Sequence, residues 1–130
     1  MLMVKKANVK SRKTGKSSKL IEIIIKGIKE KKGKGIISIN LKNVNNSICD
    51  YFVICHCDST RHVDAVANSI EEEVKKVFNE NVWQKEGYGN ATWVLLDFID
   101  VVVHVFQKET REFYKLEDLW ADAEIRKFKS

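Results

Sequence analysis

The stretch WVLLDFIDVVVHVF, residues 93–106, decides the fold. It joins two apolar runs across Asp97-Phe98-Ile99-Asp100, and the second run is almost all β-branched. Each run is too short for a buried helix, so the pair reads as an antiparallel hairpin with an acidic rim at its tip. The hairpin reads as buried, with helices packed against its sheet.

Upstream, Tyr51 to Cys57 is dense in aromatic and β-branched residues and predicts a strand. Asp58, Ser59 or Thr60 then caps a helix with an apolar stripe of Val63, Val66, Ala67, Ile70, Val74, Val77 and Phe78. Val82 to Glu86 predicts a short strand, with Gly87 and Gly89 in the turn that follows. Nearer the N-terminus, Ser17 or Ser18 caps a helix carrying Leu20, Ile21, Ile24, Ile25 and Ile28. Isoleucine favours strands, but the three-four spacing, the Glu22–Lys26 pair and the closing lysines predict helix. Gly33 and Gly35 end it, Ile36 to Leu41 alternates as a strand, and Asn43 to Ser47 is loop. Downstream lie a short helix over Glu109 to Tyr114 and a turn holding Leu116, Leu119 and Trp120, both aromatics at packing spacing. The order predicts one α/β domain, a mixed sheet of about five strands flanked by helices. Residues 17–124 form that domain, residues 1–16 a basic flexible arm, and residues 125–130 a tail.

A chain of 130 residues is one domain of ordinary size, able to bury about two-thirds of its unfolded surface. No uncharged apolar run approaches the ~18–20 residues of a membrane span. The N-terminus has no signal-peptide pattern, and an odd set of three clustered cysteines is no disulfide framework. The expected compartment is the cytoplasm. The net charge of +5 hides an asymmetry: residues 1–35 hold 12 Lys/Arg and 2 Asp/Glu, and residues 36–130 hold 11 and 16. An acidic body with a basic front end suits a partner that contains both basic protein and RNA.

The residue clusters that suggest chemistry are weak. Cys49, Cys55, His56 and Cys57 lack paired CxxC spacing, and on a strand Cys55 and Cys57 share a face that excludes His56. Ser59, Arg61 and His62 open a helix, where backbone N–H groups can hold an anion, although His62 is better placed to satisfy a neighbouring carbonyl. A strand histidine such as His104 reads as a hydrogen-bonded structural residue. The alternative reading, a nucleotide-handling enzyme, draws its metal ligands from Asp97, Asp100 and Asp58 and needs at least two carboxylates on one face beside a phosphate-binding turn; the usual glycine-serine turn is absent at Asp58-Ser59.

DYFVI at 50–54, STRHV at 59–63, WVLLDF with DVVVHVF, REFY at 111–114 and LEDLW at 116–120 follow one another in fixed order. Together they closely resemble the ribosomal silencing factor family, also known as Iojap or YbeB, over roughly Leu20 to Glu124. The resemblance implies a nucleotidyltransferase-like fold used for binding, with no catalytic residue, metal or cofactor. It implies docking on the large ribosomal subunit through that subunit's protein numbered fourteen, which blocks small-subunit joining and represses translation. It also implies a homodimer when free. Trp93 matches the family's contact tryptophan. Asp97, Asp100, Glu86 and Tyr88 are grouped with it as partner-binding residues; the basic arm, outside the resemblance, is a candidate contact to ribosomal RNA by its charge. One departure bears on structure: the family has glycine where this chain has Ile99. A β-branched residue should resist the positive φ of a tight turn there.

Overall fold

In a computed structural model the chain is described over residues 16–44 and 47–129. The elements are α1 (Lys16–Glu30), β1 (Lys34–Asn40), β2 (Tyr51–Cys57), α2 (Thr60–Phe78), β3 (Gln84–Glu86), β4 (Trp93–Asp97), β5 (Val101–Gln107), α3 (Lys108–Tyr114), a 3₁₀ turn (Leu116–Trp120) and β6 (Glu124–Lys127). The basic arm lies outside the described residues, except for Lys16, which opens α1.

The sheet has six strands rather than five, in the order β3-β4-β5-β2-β1-β6. β2 and β5 are parallel and the other neighbours antiparallel, so the mixed sheet expected from the element order is present. The extra strand, β6, begins at Glu124 and runs through what the sequence suggests is a tail.

Helices α1 and α2 cover one face. Leu20, Ile24 and Ile28 of α1 are fully buried with Val63, Val66, Ile70 and Val74 of α2 over Val53, Cys55, Val103 and Val105 of the sheet. Each such side chain contributes roughly 1.5–3 kcal/mol on burial. The two helices meet at Gly27, where a Cβ would stand 2.9 Å from the Ile70 Cα. There the Ser69 hydroxyl donates to the Gly27 carbonyl at 2.8 Å. Lys32, not a glycine, takes the left-handed conformation that ends α1, at φ 63°. Gly33 is required for closeness instead, since its Cβ would meet the Ile28 side chain at 2.5 Å. Ser59 caps α2, accepting the His62 N–H at 3.1 Å. Val77, expected in the apolar stripe, is exposed. A 19-residue helix spans about 28 Å against about 23 Å for a seven-residue strand, so its last turn outruns the sheet.

The other face carries Ile37, Ile39, Phe52, Ile54, Leu95, Val102 and Phe106, covered by Leu116, Trp120 and Ala123. The hairpin turn contradicts the expectation for Ile99, which sits at φ 80°. Positive φ at the first of two connecting residues is ordinarily a glycine position. The surroundings over-determine it. Asp97 Oδ1 accepts the Ile99 N–H at 2.8 Å, the Asp100 N–H reaches the Phe98 carbonyl at 3.0 Å, and Phe98 N–H donates to Val101 at 2.9 Å. The Asp100 carbonyl also accepts N–H groups from Asp50 and Tyr51, at 2.8 and 3.1 Å. Strain of this kind persists only where several bonds hold it.

Candidate functional site

Trp93 opens β4 half-buried, with its polar edge turned inward. Its indole N–H donates to His104 Nδ1 on β5 at 3.0 Å. Because Nδ1 accepts, the imidazole proton sits on Nε2, which is buried with no partner among the described residues. Burial drives the His104 pKa down to about 3, so the ring is neutral. Around this pair the aromatic rings are continuous. Trp93 lies 4.8 Å from Phe106 and 5.2 Å from Tyr114, while Phe52 meets His104 and Trp120 edge-on at 4.6 and 4.9 Å. The expectation that His104 is a hydrogen-bonded structural residue holds.

Helix α3 and the 3₁₀ turn carry this aromatic system to the surface, and neither contains a buried residue. Phe113 is 79% exposed, Tyr114 55% and Leu119 71%. Glu86, opposite Leu95 in the β3–β4 ladder, projects on the Trp93 face and is exposed. Glu112 and Asp118 add exposed carboxylates on the covering segment. Arg111 anchors α3 to the sheet: its guanidinium donates to the Gly35 carbonyl at 2.7 Å, pairs with Glu117 at 3.1 Å and meets His56 Nδ1 at 2.9 Å. Burial and then that guanidinium hold the His56 pKa below its ordinary value. The result is an apolar, ring-rich patch with a charged border, in which Glu86, Glu112 and Asp118 stand with exposed Lys108 and Lys115.

The structure divides the residues singled out from the sequence. Trp93 and Glu86 share the patch. Tyr88 lies on the opposite, α2 side, its hydroxyl donating to Glu71 at 2.6 Å; burial and then that carboxylate raise its pKa. Asp97 and Asp100 are buried, at 1% and 8% exposure, so the hairpin tip is not an acidic rim. Asp97 lies four residues along the strand from Trp93, about 13 Å away. Asp58 follows β2, which runs parallel to β5, and so lies at the opposite end of the sheet from Asp97 and Asp100, roughly 20 Å away. The three carboxylates do not converge on one metal. Among the described residues no group of three or more His, Cys, Asp or Glu is placed to hold one. At the start of α2 the Ser59 hydroxyl caps the helix, His62 Nε2 meets the Lys31 carbonyl, and Arg61 is exposed. Cys55 and Cys57 share one buried face as expected, and burial raises both thiols, Cys57 to about 12. None of the described helices is long and apolar enough to cross a membrane.

Phe113, Tyr114 and Leu119 escape the sequence reading, which places Tyr114 in packing. One signal was available: in KETREFYK, adjacent aromatics sit on a short, heavily charged helix. With 3.6 residues per turn, such a helix cannot turn both rings onto the sheet.

The sequence model of a family described as "Ribosomal silencing factor during starvation" matches residues 14–130. A Halalkalibacterium halodurans protein named ribosomal silencing factor RsfS is 40% identical over 110 residues, 82% of this chain and 90% of that one. Its namesake in Bacillus subtilis is 37% identical over 109 residues, 82% of this chain and 88% of its own length. A crystal structure of a Chromobacterium violaceum protein superposes with a TM-score of 0.76 at 32% identity, covering 80% of this chain and 85% of that one. With the family's sequence model spanning the whole described fold and relatives matched over most of their length, this chain belongs to the ribosomal silencing factor family.

Proposed function

We propose that this protein docks on the large ribosomal subunit, against the subunit's protein numbered fourteen, and lowers translation by occupying space that the small subunit needs. The observation that carries this reading is the ring surface of half-buried Trp93 with exposed Phe113 and Tyr114, on the sheet face that also carries exposed Glu86. Aromatic anchors with a charged border are the usual energetic centre of a protein interface, and acidic neighbours complement a basic ribosomal protein. Blocking requires no chemistry from the protein. A compact domain held firmly at the joining face is sufficient, and the sheet beneath Trp93 supplies the rigidity.

Asp97 and Asp100 act in this reading as turn-builders that fix the hairpin, and Tyr88 steadies the far side of the β3–β4 loop. The basic arm adds a salt-sensitive contact to ribosomal RNA.

The test is co-sedimentation of the protein with separated large and small subunits. The expected result is association with the large subunit alone, weakened at least tenfold by Trp93→Ala and by Phe113→Ala with Leu119→Ser. The second variant touches only exposed side chains, so a loss there is not a folding defect. Equal binding by both variants, or binding to neither subunit, overturns the proposal. Removing residues 1–16 should flatten the dependence of binding on salt.

A further inference from the structure

Positive charge in this chain does not stop at the arm. Lys29, Lys31, Lys32 and Lys34 lie at the end of α1 and in the turn to β1, and all four are exposed. The turn is held from within by the Lys32 and Gly33 N–H groups, which donate to the Lys29 and Ile28 carbonyls at 3.0 Å. From outside it is held by His62 of α2, whose ring meets the Lys31 carbonyl. That contact brings exposed Arg61, the residue before it, alongside the turn. The carboxylates at this corner are Glu30 and Asp58, both exposed, and Asp58 pairs with Lys34 at 3.4 Å. An exposed pair of this kind is weak and screened by salt. Five cations against two carboxylates leave the corner positive, on a body whose residues 36–130 hold more Asp and Glu than Lys and Arg.

Strand register places this corner beside the ring patch. Lys34 lies opposite His56, His56 opposite Phe106, and Phe106 opposite Trp93, in one row across four strands. Three strand spacings put Lys34 about 14 Å from Trp93. Arg111 of α3 ties the two together, donating at 2.7 Å to the carbonyl of Gly35, the residue after Lys34. Around Arg111 and His56 is a cleft that exposed Lys108 lines with Glu112, Glu117 and Asp118. The turn also stands a helix length, about 22 Å, from Lys16, so it is separate from the arm.

We infer that the α1–β1 turn and Arg61 form a contact for the phosphate backbone of double-helical RNA, at the same end of the sheet as the docking rings. Cations on a fixed turn neutralise phosphates without reading sequence. The only ring among residues 29–34 and 58–62 is that of His62, and it is turned onto the Lys31 carbonyl. The corner therefore offers no platform on which unpaired bases could stack. An A-form helix needs none, because proteins grip it through its shape and its phosphates. None of the exposed large apolar side chains among the described residues belongs to these two segments, so nothing there can enter a lipid surface. That the RNA is ribosomal rests on the function proposed above, whereas the affinity for an RNA duplex does not.

Fluorescence anisotropy of a labelled RNA duplex of about 20 base pairs, titrated with the full chain at about 50 and 200 mM salt, tests it. The expected result is binding that weakens steeply with salt. Lys31→Gln, Lys32→Gln and Arg61→Gln combined should weaken it roughly tenfold at the lower salt and reduce the salt slope by about 2–3. Lys75→Gln, Lys76→Gln and Lys85→Gln combined remove the same charge from a groove near the far end of α2 and should change the affinity by less than about twofold. All these side chains are exposed, so neither variant disturbs the fold. Trp93→Ala should leave duplex binding unchanged while weakening association with the large subunit, which separates a failure here from a failure of the docking reading. Equal losses in the two triple variants overturn the inference, as does an affinity untouched by the first. So does tighter binding to the same strand unpaired, or to phosphatidylserine vesicles.

Discussion

Replacing Gly27 with alanine sets two effects of opposite sign against each other. In an isolated helix the change is favourable by about 1 kcal/mol, because glycine loses more backbone entropy on folding. In this fold the added Cβ would stand 2.9 Å from the Ile70 Cα and 3.2 Å from both the Ile70 nitrogen and the Ser69 carbonyl oxygen. Carbon atoms prefer about 3.5–4.0 Å, so the two helices must separate by more than half an ångström at their closest point. Overpacking of this kind costs about 1–3 kcal/mol. The bond from Ser69 to the Gly27 carbonyl, another ~1 kcal/mol, is strained in the same movement. The net expectation is a loss of about 1–3 kcal/mol, read as a lower urea midpoint with an unchanged slope by far-UV circular dichroism. A Gly27→Ala protein as stable as the parent, or more stable, refutes the close α1–α2 contact.

Three further outcomes are expected. Ile99→Gly should be more stable than Ile99→Ala by about 1 kcal/mol, since both lose the isoleucine side chain and only glycine relieves the positive φ; paired chemical denaturation decides it, and the reverse order would refute the turn. Gly87→Ala should cost at least ~2 kcal/mol and lower the melting temperature, because φ is 96° and the new Cβ would lie 2.1 Å from the Trp93 carbonyl oxygen. His104, with a folded pKa near 3 against an unfolded value of 6.5, contributes stability present above pH 6.5 and lost as the pH falls toward 3. The slope approaches 1.4 kcal/mol per pH unit, and denaturation of His104→Phe across that window should show a shallower acid dependence.

Elements whose pattern is local were legible in the sequence. Tyr51–Cys57, a helix cap among Asp58, Ser59 and Thr60, and the two hairpin strands follow from alternation, capping chemistry and β-branched density within a few residues. β6 was not legible, because Glu-Ile-Arg-Lys has no strand pattern of its own and owes its conformation to the open edge of β1. The depth of Asp97 and Asp100 was hidden for a related reason. Acidic residues at a turn read as exposed, whereas here the chain at Asp50 and Tyr51 bonds to the Asp100 carbonyl and Trp83 to the Asp97 carbonyl. Tyr88 and Trp93 look like neighbours, yet the loop between β3 and β4 sends their rings to opposite faces of the sheet. Trp93 itself was singled out through its motif, while its rigid seat on His104 emerged only from the pairing of Leu95 with His104 across the hairpin.

The two faces of the sheet are clad very differently. Among the described residues, one carries long helices locked together by buried isoleucine and valine, and the other a seven-residue helix and a 3₁₀ turn in which nothing is fully covered. The molecule is in effect a stiff board with a thin veneer, and the ring patch joins the two: Trp93 belongs to the board, Phe113 and Tyr114 to the veneer. Amide exchange should therefore be fastest in α3 and the 3₁₀ turn and slowest in β2 and β5. A surface layer so loosely fastened can re-seat its rings against a partner while the board stays flat. Substitutions of the exposed Phe113, Tyr114 and Leu119 can in consequence alter what the protein grips without altering how it folds.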